Sequence, residues 1–203
     1  MRLDKTGVST ALSALGDHLE QASEDVFEIV VCGGSALQVL GLVDRTTKDV
    51  DILALAQTRK DNVLGLLPAE PLPLTVVEAA HIVARDFGLS EDWLNPGPTD
   101  LLSQGLPDGL IDRLHSRRFG RKLVVHFIDR FDQICLKTYA AINGGGMHHL
   151  ADLRALKPSE EEMLAAARWC LTQDASEVFP PLVQSFLEKV GYPNVAERIK
   201  IEP

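Results

Sequence analysis

Two glycines followed by a serine, Gly33-Gly34-Ser35, and two aspartates one residue apart, Asp49 and Asp51, are the residues of this chain whose type and spacing could do chemistry. Glycines in a turn let backbone amides approach an anion closely, and a helix beginning at Ser35 would aim its N-terminal dipole at the same place. Carboxylates on alternate strand positions can share a hard divalent cation, because Mg2+ takes oxygen ligands and bridges to substrate phosphates. Together they suit phosphoryl chemistry, in which metal neutralises phosphate charge and helps activate the attacking hydroxyl. Each half alone has an ordinary reading, since Gly-Gly-Ser is a common turn and an alternating acid pair is what a half-exposed strand shows.

These residues need elements to position them. Val8, Leu12, Leu15, Leu19 and Ala22 recur at helical spacing and predict an opening amphipathic helix. Val26 to Cys32, rich in β-branched residues and stopped by two glycines, reads as a buried strand. A short helix follows, capped by Ser35 and ended by Gly41. Asp49 to Leu55 reads as a second strand whose alternation places Asp49, Asp51 and Leu53 on one face. Thr58 to Leu67 and Val76 to Phe87 look helical, with prolines breaking the chain between them.

Ser90 to Gly109 reads as a long loop of the kind that is often functional. Within it, Trp93 and Asn95 offer the aromatic face and amide that base recognition uses, although a core anchor is the simpler role for Trp93. Leu123 to Ile128 is a third strand and Asp129 to Ile142 a helix, followed by the glycine joint Gly144-Gly145-Gly146. Ser159 with Glu160, Glu161 and Glu162 marks another helix start, and the remainder to Pro203 reads as helical.

A strand ending in Gly33-Gly34-Ser35, a helix, then Arg45-x-Thr47-x-Asp49-x-Asp51 entering a strand resembles the signature of the polymerase-beta-like nucleotidyltransferases. The stretch Asp132 to Leu156 is similar to the distal half of the AbiEii-type branch, which includes nucleotidyltransferase toxins. There Lys137 and Asp152, the latter opening Asp152-Leu153-Arg154-Ala155-Leu156, are the matching positions. The two regions cover about half of the chain.

The resemblance implies an α+β fold: a nucleotidyltransferase-type small mixed sheet flanked by helices, with a helical C-terminal part. The expected domains are 1–156 for the nucleotidyltransferase-like part and 157–203 for a helical extension packed on it. It implies that Gly33, Gly34 and Ser35 hold nucleotide phosphates, that Asp49 and Asp51 bind Mg2+ (with Mn2+ as the alternative), and that Lys137 neutralises phosphate charge. Asp152 would either orient that lysine or act as a base toward the acceptor. The implied activity is transfer of a nucleoside monophosphate from an NTP to a hydroxyl on an RNA end, a protein or a small molecule. An antitoxin partner is implied if the chain is the toxin of such a pair.

The chain departs from the superfamily in one respect. Many members carry a third carboxylate on a later strand, whereas Leu123 to Ile128 contains His126 and no acid, with Asp100, Asp112 and Asp129 nearby in sequence. The rival expectation is therefore a non-catalytic nucleotide-binding or protein-interaction module with a degenerate site. Without the resemblance, Lys137 reads as a surface lysine on an amphipathic helix, and Arg45 and Thr47 as turn residues.

Composition sets the outer bounds. In 203 residues with a formal net charge of −9, broad wrapping of nucleic acid is disfavoured, because phosphate binding needs clustered Lys and Arg. The run Arg113, His115, Arg117, Arg118, Arg121 and Lys122 is the basic exception and reads as a solvated hairpin face. No apolar run reaches the roughly 20 residues of a spanning helix, and the N-terminus lacks a secretion signal, so the expected location is cytoplasmic, away from membranes. Cys32, Cys135 and Cys170 lack paired metal-site spacing and are expected to be buried free thiols.

Overall fold

The computed structural model describes residues 2–58 and 63–201, and it is an α+β protein of two compact units, Met1–Asp129 and Arg130–Pro203. The first unit holds the sheet. Its opening helix α1 (Lys5–Ala22) starts where the Asp4 side chain accepts from Gly7 N at 2.7 Å, a side-chain N-cap. Val8, Leu12, Leu15 and Leu19 are buried as their spacing predicts, while Ala22 lies outside the buried stripe. Gly16 belongs to that stripe because a Cβ there would overlap the carbonyl oxygen of Phe119.

Strand β1 (Phe27–Cys32) is central. It pairs antiparallel with β2 (Val50–Thr58) and parallel with β6 (Leu123–Phe127); β3 (Leu64–Leu67) and β5 (His115–Phe119) flank these two, giving the order β3-β2-β1-β6-β5. The sheet is therefore small and mixed. A two-residue strand β4 (Leu94–Asn95) pairs in parallel with the start of β2. One face carries Ile29, Val31, Val50, Ile52, Leu123, Val125 and Phe127, which share a single apolar core with α1 and with α3 (Leu74–Phe87).

Several expectations are corrected. Thr58 to Leu67 is not a helix: Thr58 ends β2, Leu64–Leu67 pairs with it as a hairpin partner, and residues 59–62 of that expectation lie outside the described residues. Helical spacing of Leu64, Leu66 and Leu67 gave way to backbone pairing with β2, a tertiary gain that local periodicity does not carry. Ser35 does not cap α2 (Gly33–Val39); the helix begins at Gly33 with Cys32 at the N-cap, and Ser35 Oγ donates to Cys32 O at 3.3 Å. Val30 pairs with Ala54 and Val31 with Ile52, so Leu53 is the unpaired residue of a bulge and does not continue the face of Asp51. The stretch from Ser90 to Gly109 is shorter in loop than expected, since it contains β4, a 3₁₀ turn at Gly97–Asp100 and the one-turn helix α4 (Leu101–Gln104).

The basic run lies on the β5–β6 hairpin, as expected. Arg117 and Arg118 are exposed, Arg121 pairs with Glu20 at 3.1 Å and Lys122 with Glu24 at 3.3 Å.

Among the described residues the second unit is built of helices: α5 (Arg130–Ile142), α6 (Met147–Leu156), α7 (Glu160–Gln173), α8 (Phe179–Val190) and α9 (Pro193–Ile201). The two compact units divide between Asp129 and Arg130, ahead of α5, and α5 packs with both α6 and α7. Helix α7 opens on a full capping box, with Ser159 accepting from Glu162 N at 3.1 Å and Glu162 accepting from Ser159 N at 2.8 Å. Arg130 spans the turn before it, donating to Leu156 O at 2.6 Å and to Glu162 Oε2 at 3.2 Å. Cys32, Cys135 and Cys170 are buried free thiols. Burial raises the Cys170 thiol well above its usual range, and no described helix is long and apolar enough to cross a membrane.

Candidate functional site

The glycine turn and the acidic pair, far apart in sequence, form one surface at the ends of β1 and β2. Cys32 pairs with Asp51 across the sheet, so the residue after Cys32 meets the Asp51 side chain directly. That residue is Gly33, at φ +70°, and a Cβ there would stand 3.1 Å from Asp51 Cγ and overlap its Oδ2. Glycine is required twice over, for the left-handed backbone and for the space the carboxylate fills.

Gly34 is covered by two further side chains. A Cβ at this position would lie 3.0 Å from an Arg45 guanidinium nitrogen and 3.0 Å from Thr47 Oγ1. Thr47 Oγ1 in turn donates to Asp49 Oδ1 at 3.2 Å. The backbone of this loop is fixed, since Thr47 and Leu3 exchange both amide hydrogen bonds at 2.8 Å and Val50 N donates to Trp93 O at 2.6 Å. Arg45 and Thr47 do more than shape a turn: they bring a cation and a hydroxyl to the glycines.

Asn95 completes the arrangement. Strand β4 sets Asn95 opposite Asp51, and Asn95 Nδ2 donates to Asp51 Oδ1 at 3.0 Å. The amide cannot turn over without loss, because Asn95 Oδ1 accepts from Gly97 N at 3.0 Å. Asn95, whose amide suits base recognition, stands beside a carboxylate, and only the pairing of β4 with β2 reveals this. Trp93 is a core anchor, fully buried with its Nε1 donating to Ala80 O at 3.0 Å.

Ser35 is buried in the first turn of α2. Asp49 and Asp51 are half-buried carboxylates. Two carboxylates, with substrate phosphates and water supplying the remaining oxygens, suit Mg2+, which keeps much of its hydration and needs no all-protein cage. Among the described residues no group of three or more His, Cys, Asp or Glu side chains is placed to hold a metal.

Lys137 and Asp152 belong to the helical unit. Lys137 Nζ lies 2.9 Å from Asp152 Oδ2, with the two side chains 6% and 1% exposed. The surface reading of Lys137 is thus corrected. A cation and anion withdrawn from water in this way must stay together, since either alone would be an uncompensated buried charge.

No family model, no curated protein and no solved structure matches the chain.

Proposed function

We propose that the chain is a nucleotidyltransferase that moves a nucleoside monophosphate from an NTP to a hydroxyl acceptor, on a sheet domain of the nucleotidyltransferase type. The observation that carries this reading is the seating of the Asp51 carboxylate on Gly33, with Asp49 held by Thr47 beside Gly34. A glycine turn that merely reversed the chain would have no need of two carboxylates and a guanidinium against it.

Roles follow from this geometry. Gly33, Gly34 and Ser35, buried at the start of α2 with Asp51, Arg45 and Thr47 against the glycines, would lie along the triphosphate, and Arg45 would bring a positive charge to its oxygens. Asp49 and Asp51 would hold Mg2+, or Mn2+, which when bound withdraws charge from the phosphates and polarises the α-phosphorus. Thr47 and Asn95 orient the two carboxylates through one oxygen each. The acceptor oxygen forms a bond to the α-phosphorus as the bond to pyrophosphate breaks, and the hydroxyl proton passes to water. Asp152 serves as the counter-ion that positions Lys137, a role its 2.9 Å pairing supports over that of a base for the acceptor. The acceptor class, RNA, protein or small molecule, and restraint by an antitoxin are extensions of the same reading through the resemblance.

A second reading has one specific observation behind it. Strand β6 carries no acid and the described residues contain no three-ligand metal group, as a nucleotide-binding or protein-interaction module with a degenerate site would have. The experiment that separates the two is incubation with each α-labelled NTP, Mg2+ and total cellular RNA and protein, with Asp51→Ala as control. Label on RNA or protein together with released pyrophosphate, both lost in the control, establishes the transferase and names its acceptor. Nucleotide binding without pyrophosphate release establishes the module.

A further inference from the structure

A second chemical constellation lies on the sheet, away from the glycine turn and independent of the reading above. His126 on β6 is 6% exposed, and both its ring nitrogens are engaged: Nδ1 stands 2.7 Å from Ser116 Oγ on β5, and Nε2 stands 3.0 Å from Glu28 Oε2 on β1. The strand register explains the meeting. Ser116 pairs directly with His126, and His126 pairs with Val30, two residues from Glu28 on the same strand. Glu28, His126 and Ser116 therefore share one face, opposite the face that carries Ile29, Val125 and Phe127 into the core.

The proton placement follows from the partners. An ionised Glu28 carboxylate can only accept, so Nε2 carries the hydrogen in the neutral ring and Nδ1 presents a lone pair. Ser116 Oγ–H then donates to Nδ1. A serine whose proton points at an imidazole base, itself oriented by a carboxylate, is the arrangement that activates a hydroxyl as a nucleophile. Buried His126 and half-buried Glu28 are protected from water, while Ser116 is exposed on the edge strand and open to a reactant. Arg118, two residues further along β5 and so on the same face as Ser116, brings a positive charge to that surface.

We propose that Ser116, His126 and Glu28 form a nucleophilic site whose electrophiles are phosphorus esters. Ser116 Oγ forms a bond to phosphorus, its proton passes to His126 Nδ1, and the leaving group departs with the electron pair of its bond to phosphorus. Arg118 faces the negative charge that develops on the phosphoryl oxygens. Glu28 is a positioning residue that holds the imidazole in the tautomer able to accept the serine proton.

The test is covalent labelling of the full chain with an alkyl fluorophosphonate, read by intact mass and peptide mapping; fluoride is the leaving group. The expected result is one adduct, on Ser116, that is absent from Ser116→Ala. His126→Gln should slow labelling about 100-fold, the scale of a lost general base. Glu28→Gln should slow it less, about 10-fold, and Glu28→Asp, which keeps the carboxylate, should recover part of that loss. Circular dichroism and urea midpoints verify folding of each variant, and the exposed Ser116→Ala keeps the test decisive should a buried variant fail to fold. No adduct on the folded wild-type chain, an adduct on another residue, or labelling at the same rate in folded His126→Gln overturns the proposal.

Discussion

The Asp51 carboxylate rests on the Cα of Gly33, in the space a side chain would occupy. Gly33→Ala must therefore move Asp51 and also hold alanine at φ +70°, a left-handed conformation that costs about 1–2 kcal/mol for a residue with a Cβ. The expected outcome is a loss of about 2–3 kcal/mol in urea unfolding once displacement is added, with Mn2+ binding abolished. Gly41→Ala is the control, since Gly41 has a similar φ of +74° but only Lys5 Nζ, at 3.6 Å, near its Cβ position. It should cost the backbone term alone and leave metal binding intact.

Asn95 fixes Asp51 through one hydrogen bond and is itself fixed by Gly97 N. Partners that orient a metal-binding carboxylate typically contribute 10- to 100-fold in affinity. Asn95→Ala should accordingly weaken Mn2+ binding by about 10-fold or more, measured by titration calorimetry, while the fold persists. Affinity unchanged from wild type would remove Asn95 from the site.

How much of this was legible beforehand differs between residues for physical reasons. Gly33 and Gly34 open α2 directly after β1, and Asp49 and Asp51 stand at the start of β2; their local signals are strong, and the structure brings Gly33 against Asp51. The buried stripe of α1 and the capping box of α7 were readable too, because periodicity and Ser-x-x-Glu spacing are local properties. Asn95 and the second partners of Arg45 and Thr47 depend on which strand pairs with which loop. Nothing in the composition of Trp93-Leu94-Asn95 says that a two-residue strand will form there. The network of Glu28, Ser116 and His126 was hidden for the same reason, since its members are 10 and 98 residues apart and meet only through sheet register. Without the resemblance, the helix pattern makes Lys137 a surface lysine, because periodicity cannot show that Asp152 faces it from α6.

That buried pair yields a third prediction. Lys137→Ala removes the cation 2.9 Å from the buried Asp152 carboxylate, and Asp152→Ala removes the anion from buried Lys137. Each single variant should lose about 3–5 kcal/mol of stability in urea denaturation. The apolar double variant Lys137→Met with Asp152→Leu should lie close to wild type, because both desolvation penalties disappear with the charges. A double variant that loses as much as the two single variants added together would show that the pair has no energetic coupling.

The last prediction concerns acid. The Arg130 side-chain hydrogen bond is the main cause that holds the Glu162 carboxyl below the usual range, with the Ser159 backbone N–H adding to it and burial opposing it. A depressed folded value means that the folded state binds the Glu162 proton more weakly than the unfolded chain does. The stabilisation is therefore complete above the ordinary Glu value of about 4.3 and is lost as pH falls through the lower folded value. Glu20, Glu161 and Asp174 are displaced in the same direction, so the wild-type chain should weaken steadily over this range. Glu162→Gln isolates one contribution: it keeps an acceptor for Arg130 and Ser159 but has no proton to take up. Urea midpoints measured from pH 6 downward should fall less steeply for Glu162→Gln than for wild type. Arg130→Ala should flatten the same part of the profile and also cost about 2–3 kcal/mol at neutral pH, since Leu156 O and Glu162 lose a charged donor together. Parallel profiles for wild type and Glu162→Gln would mean that the α7 cap does not contribute to acid sensitivity.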